Sequence, residues 1–120
     1  MATSTVPSTV MVAGEPVSVA PLRQAAVAVC RAAGQAKVDP QGARAGFYDN
    51  AHEPLHELAR LVGEVNRARA GRLLETKEAV EADLDAGRPG LRLAADINRL
   101  AVATNAALAA INIPAAPCAG

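Results

Sequence analysis

The sequence is poor in aromatic residues. Phe47 and Tyr48 are the only two, and tryptophan is absent. Single-stranded nucleic acid is held on stacked aromatic side chains beside a basic groove. Charge gives no such groove, since twelve basic and twelve acidic residues cancel and are mixed along the chain. No nucleic-acid partner is therefore expected. The richest basic stretch, Arg67, Arg69 and Arg72, runs straight into Glu75 and Glu78, which is the pattern of a solvated helix face.

Long apolar runs are also missing, so no membrane span is expected. A basic start followed by an apolar stretch is not legible, so no signal peptide is read. Neither CxxC nor CxxCH occurs, which removes the usual cysteine metal sites and covalent haem attachment. Non-covalent haem, with either histidine as an axial ligand, is disfavoured because few aromatic side chains could pack a macrocycle. The serines, Ser4, Ser8 and Ser18, are all N-terminal and lie far in sequence from the histidines, and no glycine-rich phosphate loop follows a strand. The chain reads as a non-enzyme.

What is present is Leu, Val, Ile and a large share of Ala, suited to closely packed helices. The spacing predicts a helix over 19–33, with Pro21 in its first turn and Leu22, Ala25, Ala26, Val29 and Ala33 inward. Asp39-Pro40 is a strong start signal, a cap followed by a proline at the first helical position. From there one helix over 40–65 is expected, kinked near Pro54; a short helix followed by a second from residue 50 is the alternative. A third helix is expected over 67–85, with Leu73, Leu74, Val80 and Leu84 inward. After a loop over 86–90, a fourth covers 91–111, on the stripe Leu93, Ile97, Leu100, Ala101, Thr104, Leu108 and Ile111. The expected fold is all-α: an antiparallel up-down four-helix bundle over 18–120, preceded by a disordered, flexible tail over 1–17.

Two cysteines, Cys30 and Cys118, are separated by most of the domain. A cysteine in a Pro-rich end segment has no obvious packing role, so a Cys30–Cys118 disulfide is expected, contributing roughly 4–5 kcal/mol in the loop-entropy model. It implies an oxidising compartment, hence an extracytoplasmic or secreted protein. Two unrelated thiols in a cytoplasmic protein are the alternative.

The histidines are the sharpest chemical feature. His52 and His56 are four apart, and Asp49 is three before His52, so on a continuous helix all share one face. With Glu53 as a further carboxylate, they form a candidate site for a transition metal such as Zn²⁺ or Cu²⁺. Leu55, Leu58, Val62 and Val65 mark the apolar stripe of this helix, and Glu53, Glu57, Arg60 and Glu64 the opposite side; the histidines fall on the border. The bland alternative is that both are packing residues. The HExxH protease pattern does not apply, because Pro54 lies inside the motif. Lys77 points inward among Ala70, Leu73, Val80 and Leu84 and needs a partner. Glu81, one turn later, or Asp96 supplies it, or else an inward polar cluster forms with Asp49 and the histidines.

The stretch Phe47-Tyr-Asp-Asn-Ala-His52-Glu-Pro-Leu-His56-Glu-Leu-Ala, with Arg72-Leu-Leu-Glu-Thr-Lys77-Glu-Ala-Val-Glu81 after it, resembles small exported helical proteins of high-GC bacteria. The resemblance covers roughly residues 20–118 and implies export without implying any activity. The chain is also similar to extracytoplasmic helical domains linked to metal uptake or resistance. The expectation is a small extracytoplasmic bundle that acts by binding a metal or an unidentified protein partner, or by self-association. A structural or interaction module without a metal role is the alternative.

Overall fold

The computed structural model describes residues 6–87, 90–116 and 118. Among them are a two-stranded hairpin, β1 (Thr9–Val12) and β2 (Glu15–Ser18), and five helices. The helices are α1 (Val19–Gln35), α2 (Pro40–Asn50), α3 (His52–Gly63), α4 (Arg67–Ala86) and α5 (Gly90–Ala110).

The hairpin corrects the expected tail over 1–17, of which residues 1–5 lie outside the described residues. β1 and β2 pair antiparallel, Val10 facing Val17 and Val12 facing Glu15. Ala13 and Gly14 both have positive φ, +50° and +82°, the handedness that matches a two-residue turn to the twist of its strands. The ladder reaches the helix, because Val19 N–H donates to Ser8 O at 3.0 Å. Val12, Val17 and Val19 are buried in the core, and Val6 and Val10 pack against it. Alternate valines thus bury one face of a ribbon that would be unstable alone.

The expected kinked helix over 40–65 is two helices. Asp39 caps α2, its side chain accepting from Gly42 N–H at 2.9 Å, with Pro40 at the first position. Ala51, at φ −116° and ψ −35°, separates α2 from α3. Pro54 has no N–H to give Asn50 O, and its ring would crowd that carbonyl. Restarting the helix at His52 puts the proline in a first turn, where no N–H bond is required. The chain is therefore mostly helical but not a four-helix bundle.

α4 runs antiparallel to α2 and to α5, and α1 antiparallel to α5. Arg44 of α2 pairs with Asp85 at the far end of α4. Arg69 near the start of α4 donates to Ala106 O near the end of α5. Arg23 near the start of α1 clamps Pro114 O and Ala115 O just beyond α5. At the opposite end α1 and α5 approach so closely that a Cβ on Gly90 would stand 2.9 Å from Ala36 O.

The expected α5 stripe is buried in full. Two inward assignments were wrong: Leu74 is exposed on α4, and Val65 lies beyond the end of α3 and is exposed. The first helix runs past its expected end at residue 33, to Gln35. Asn66 caps α4 and Gly87, at φ +63°, ends it.

After α5 the chain turns at Asn112, φ +64°, and folds back. Ile111, Ile113 and Ala116 are buried, and Asn105 exchanges two hydrogen bonds with the Ala116 backbone. Cys118 is thereby brought to Cys30 of α1 as a disulfide, with Cα atoms 5.2 Å apart. No helix among the described residues is long and apolar enough to cross a membrane.

Candidate functional site

Arg44, Tyr48, His52 and His56 recur every four residues through α2 and α3, across the break at Ala51. Lys77, Glu81 and Asp85 recur every four residues on α4. Because α4 runs antiparallel to α2 and α3, the two rows meet as a polar ladder. At one end Asp85 Oδ1 accepts from Arg44 Nη1 at 3.0 Å and from the Tyr48 hydroxyl at 3.3 Å. The Arg44 guanidinium also lies over the Tyr48 ring, 5.1 Å from its centre.

In the middle, Glu81 Oε2 binds Lys77 Nζ at 2.7 Å and His52 Nδ1 at 2.8 Å. The Lys77 side chain is 3% exposed, that of Glu81 20% and that of His52 29%. A buried ammonium is tolerated only with a close, hydrogen-bonded counter-charge, and the short contacts are those of charge-assisted bonds. The expected Lys77–Glu81 pair is thus present. The alternative partner, Asp96, instead pairs with Arg99.

An aromatic run follows the same seam. Ring centres are 5.2 Å apart for Phe47 and Tyr48, 5.5 Å for Tyr48 and His52, and 4.7 Å for His52 and His56. Phe47 is fully buried and anchors the run to the core. Burial raises the Tyr48 phenol above its ordinary pKa, and the carboxylates of Asp85 and Glu81 push the same way against the smaller opposing effect of Arg44.

The four-residue metal set is only half assembled. His52 and His56 meet; Asp49 and Glu53 are exposed and bond to neither histidine among the described residues. The break at Ala51 removes Asp49 from the i, i+3 relation it would have had on a continuous helix. Glu53, next to His52 in sequence, faces another direction. Among the described residues no group of three or more His, Cys, Asp or Glu side chains is placed to hold one metal ion. The inward cluster likewise contains His52 but not Asp49.

Sequence reasoning missed the roles of Arg44, Tyr48 and Asp85 and the bond from His52 to Glu81. The spacing of four on both rows was visible. What joins the rows is the pairing of residues 29 positions apart, which periodicity does not encode. Comparison with protein-family models, with curated proteins and with solved structures returns no match.

Chemically, the seam offers two adjacent imidazoles at the protein surface, one of them braced from behind by a carboxylate. With metal–nitrogen bonds of about 2.0–2.1 Å, two imidazoles pointing at one ion have ring centres roughly 4.5 Å apart for a right-angle arrangement and roughly 5.2 Å for a tetrahedral one. The observed ring-centre distance of 4.7 Å lies between these limits, with the rings edge to face at 87°.

Proposed function

We propose that this is an extracytoplasmic helical binding protein that takes a divalent transition-metal ion, such as Zn²⁺ or Cu²⁺, on His52 and His56. The observation that carries the reading is the pair of imidazoles 4.7 Å apart, with Nδ1 of His52 already engaged by Glu81. Carboxylate-braced imidazoles are the usual form of a histidine metal ligand. Neutral imidazole suits both ions, and with two protein ligands the remaining positions belong to water. The Cys30–Cys118 disulfide supports an oxidising compartment.

Calorimetric titration of the oxidised protein with Zn²⁺ and with Cu²⁺ tests this. The parent is expected to bind with Kd of about 1 μM or tighter, about 8 kcal/mol or more. His52→Ala/His56→Ala is expected to lose that binding while keeping its helical circular dichroism. Equal affinity in parent and double variant would remove the site.

A second reading, a structural or interaction module without a metal, draws on the exposed apolar side chains of Val38, Leu91 and Val102. It expects concentration-dependent association in sedimentation and no specific metal affinity.

A further inference from the structure

We infer that Glu81, braced by Lys77, fixes the tautomer of His52 and so selects the nitrogen that meets the ion; the step to the ion rests on the metal reading above. An ionised carboxylate accepts hydrogen bonds and donates none. With Glu81 Oε2 2.8 Å from His52 Nδ1, the ring hydrogen belongs on Nδ1. In the neutral ring, Nε2 then keeps its lone pair. The bond made by one ring nitrogen decides what the other does.

Lys77 is what makes this arrangement rigid. Its Nζ lies 2.7 Å from the same Oε2, so one carboxylate oxygen is shared by two donors. Lys77 and Glu81 are one turn apart on α4, and their pairing is set by helix geometry. His52 reaches them because it opens α3, directly after the break at Ala51. The two histidines therefore differ. His52 is partly buried and tied to α4, whereas His56 is exposed and can reorient towards an ion already on His52 Nε2. Glu81 is a positioning residue: it touches no ion and acts through the ring it holds.

Removing Glu81 alone would strand the Lys77 ammonium, so the test removes both charges together. Lys77→Met/Glu81→Leu replaces the pair with apolar groups of similar size. Lys77→Met/Glu81→Gln leaves a neutral acceptor for His52. Two readouts are needed. The first is the long-range ¹H–¹⁵N spectrum of the imidazoles in metal-free protein, at a pH where both rings are neutral, with His52 assigned through His56→Ala. The second is Zn²⁺ affinity by calorimetry.

The parent is expected to show His52 protonated on Nδ1. In Lys77→Met/Glu81→Leu that preference should disappear and Zn²⁺ affinity should fall roughly 10–100-fold, the usual effect of losing an outer-shell partner. The Gln variant should recover part of both. A parent ring protonated on Nε2 would overturn the inference, and so would a Leu variant with parental affinity where the parent binds Zn²⁺ more tightly than His52→Ala/His56→Ala. A parent ring protonated on Nδ1 in a protein that binds Zn²⁺ no better than His52→Ala/His56→Ala would uphold the hold of Glu81 on the ring and overturn the metal reading alone.

Discussion

Helices α4 and α5 lie side by side and are nearly equal in length, 20 and 21 residues, yet they bury different chemistry. α5 buries Leu93, Ala94, Ile97, Leu100, Ala101, Ala103, Ala107 and Leu108, and one polar residue, Thr104. The Thr104 hydroxyl is satisfied within the helix, donating to Leu100 O at 2.7 Å. α4 buries Thr76, Lys77 and Asp83 beside Ala70, Leu73, Val80 and Leu84. Thr76 is also satisfied internally, at Arg72 O and Leu73 O, but the buried charges need charged partners. Lys77 is answered by Glu81, and Asp83 is approached by Arg92 of α5 at 3.6 Å. The apolar helix is stabilised by packing against whatever fills the space. The polar helix depends on particular partners at particular distances, and those partners include the candidate site.

The largest effect should come from outside either helix. The disulfide ties the segment after α5 to α1 and closes a separation of 88 residues. Cys30→Ser/Cys118→Ser is expected to lower unfolding free energy by about 4–5 kcal/mol on the loop-entropy model, read by denaturant titration. Next comes the direct contrast between the helices. Leu100→Ala, in the fully buried face of α5, should cost about 3 kcal/mol through lost burial and the cavity left behind. Lys77→Met/Glu81→Leu should stay within about 1 kcal/mol of the parent, because an ion pair replaced whole by apolar groups is often neutral. A large loss from the double replacement would mean that the α4 seam contributes to stability as the α5 face does, and the contrast would fall.

The smallest effect is a pH dependence. Tyr48 is the only tyrosine, so phenolate absorbance reports it directly. Its pKa is raised in the folded protein by burial and by Asp85 and Glu81. A raised folded value means that the folded state holds the proton more tightly than the unfolded chain does. The associated stability is fully present below the ordinary phenol range, near 10, and is lost as pH rises through the folded value. The titration midpoint should lie above the ordinary value, and Tyr48→Phe should flatten the alkaline loss of stability.

The same contrast explains what was legible in the sequence. The stripe of α5 could be read residue by residue because apolar periodicity and burial coincide there. The start of α2 was equally plain, since Asp39-Pro40 is a local signal acting within one turn. Of the polar seam on α4, only the Lys77–Glu81 pair was readable, because both partners lie on one helix. The bond from His52 to Glu81 depends on how two helices pack, and no local pattern carries it. The hairpin was missed because its strands are four residues each and its turn is Ala-Gly rather than Asn-Gly. The break at Ala51 was visible as Pro54, but a kinked helix and a restarted one satisfy the same missing N–H. Restarting rather than kinking is what separated Asp49 from the histidines.

The Cys30–Cys118 bond also gives the protein a mechanical character. Everything between those two residues forms one covalent ring, and the hairpin and most of α1 hang from it as a short handle. Pulled between Val6 and Cys118, the oxidised chain can lengthen only as far as the handle unravels, to roughly 80 Å at full extension. With the bond reduced, the same two points separate to roughly 370 Å. Tension applied there therefore strips the hairpin and the start of α1 while the ring, with the histidine seam inside it, carries no load.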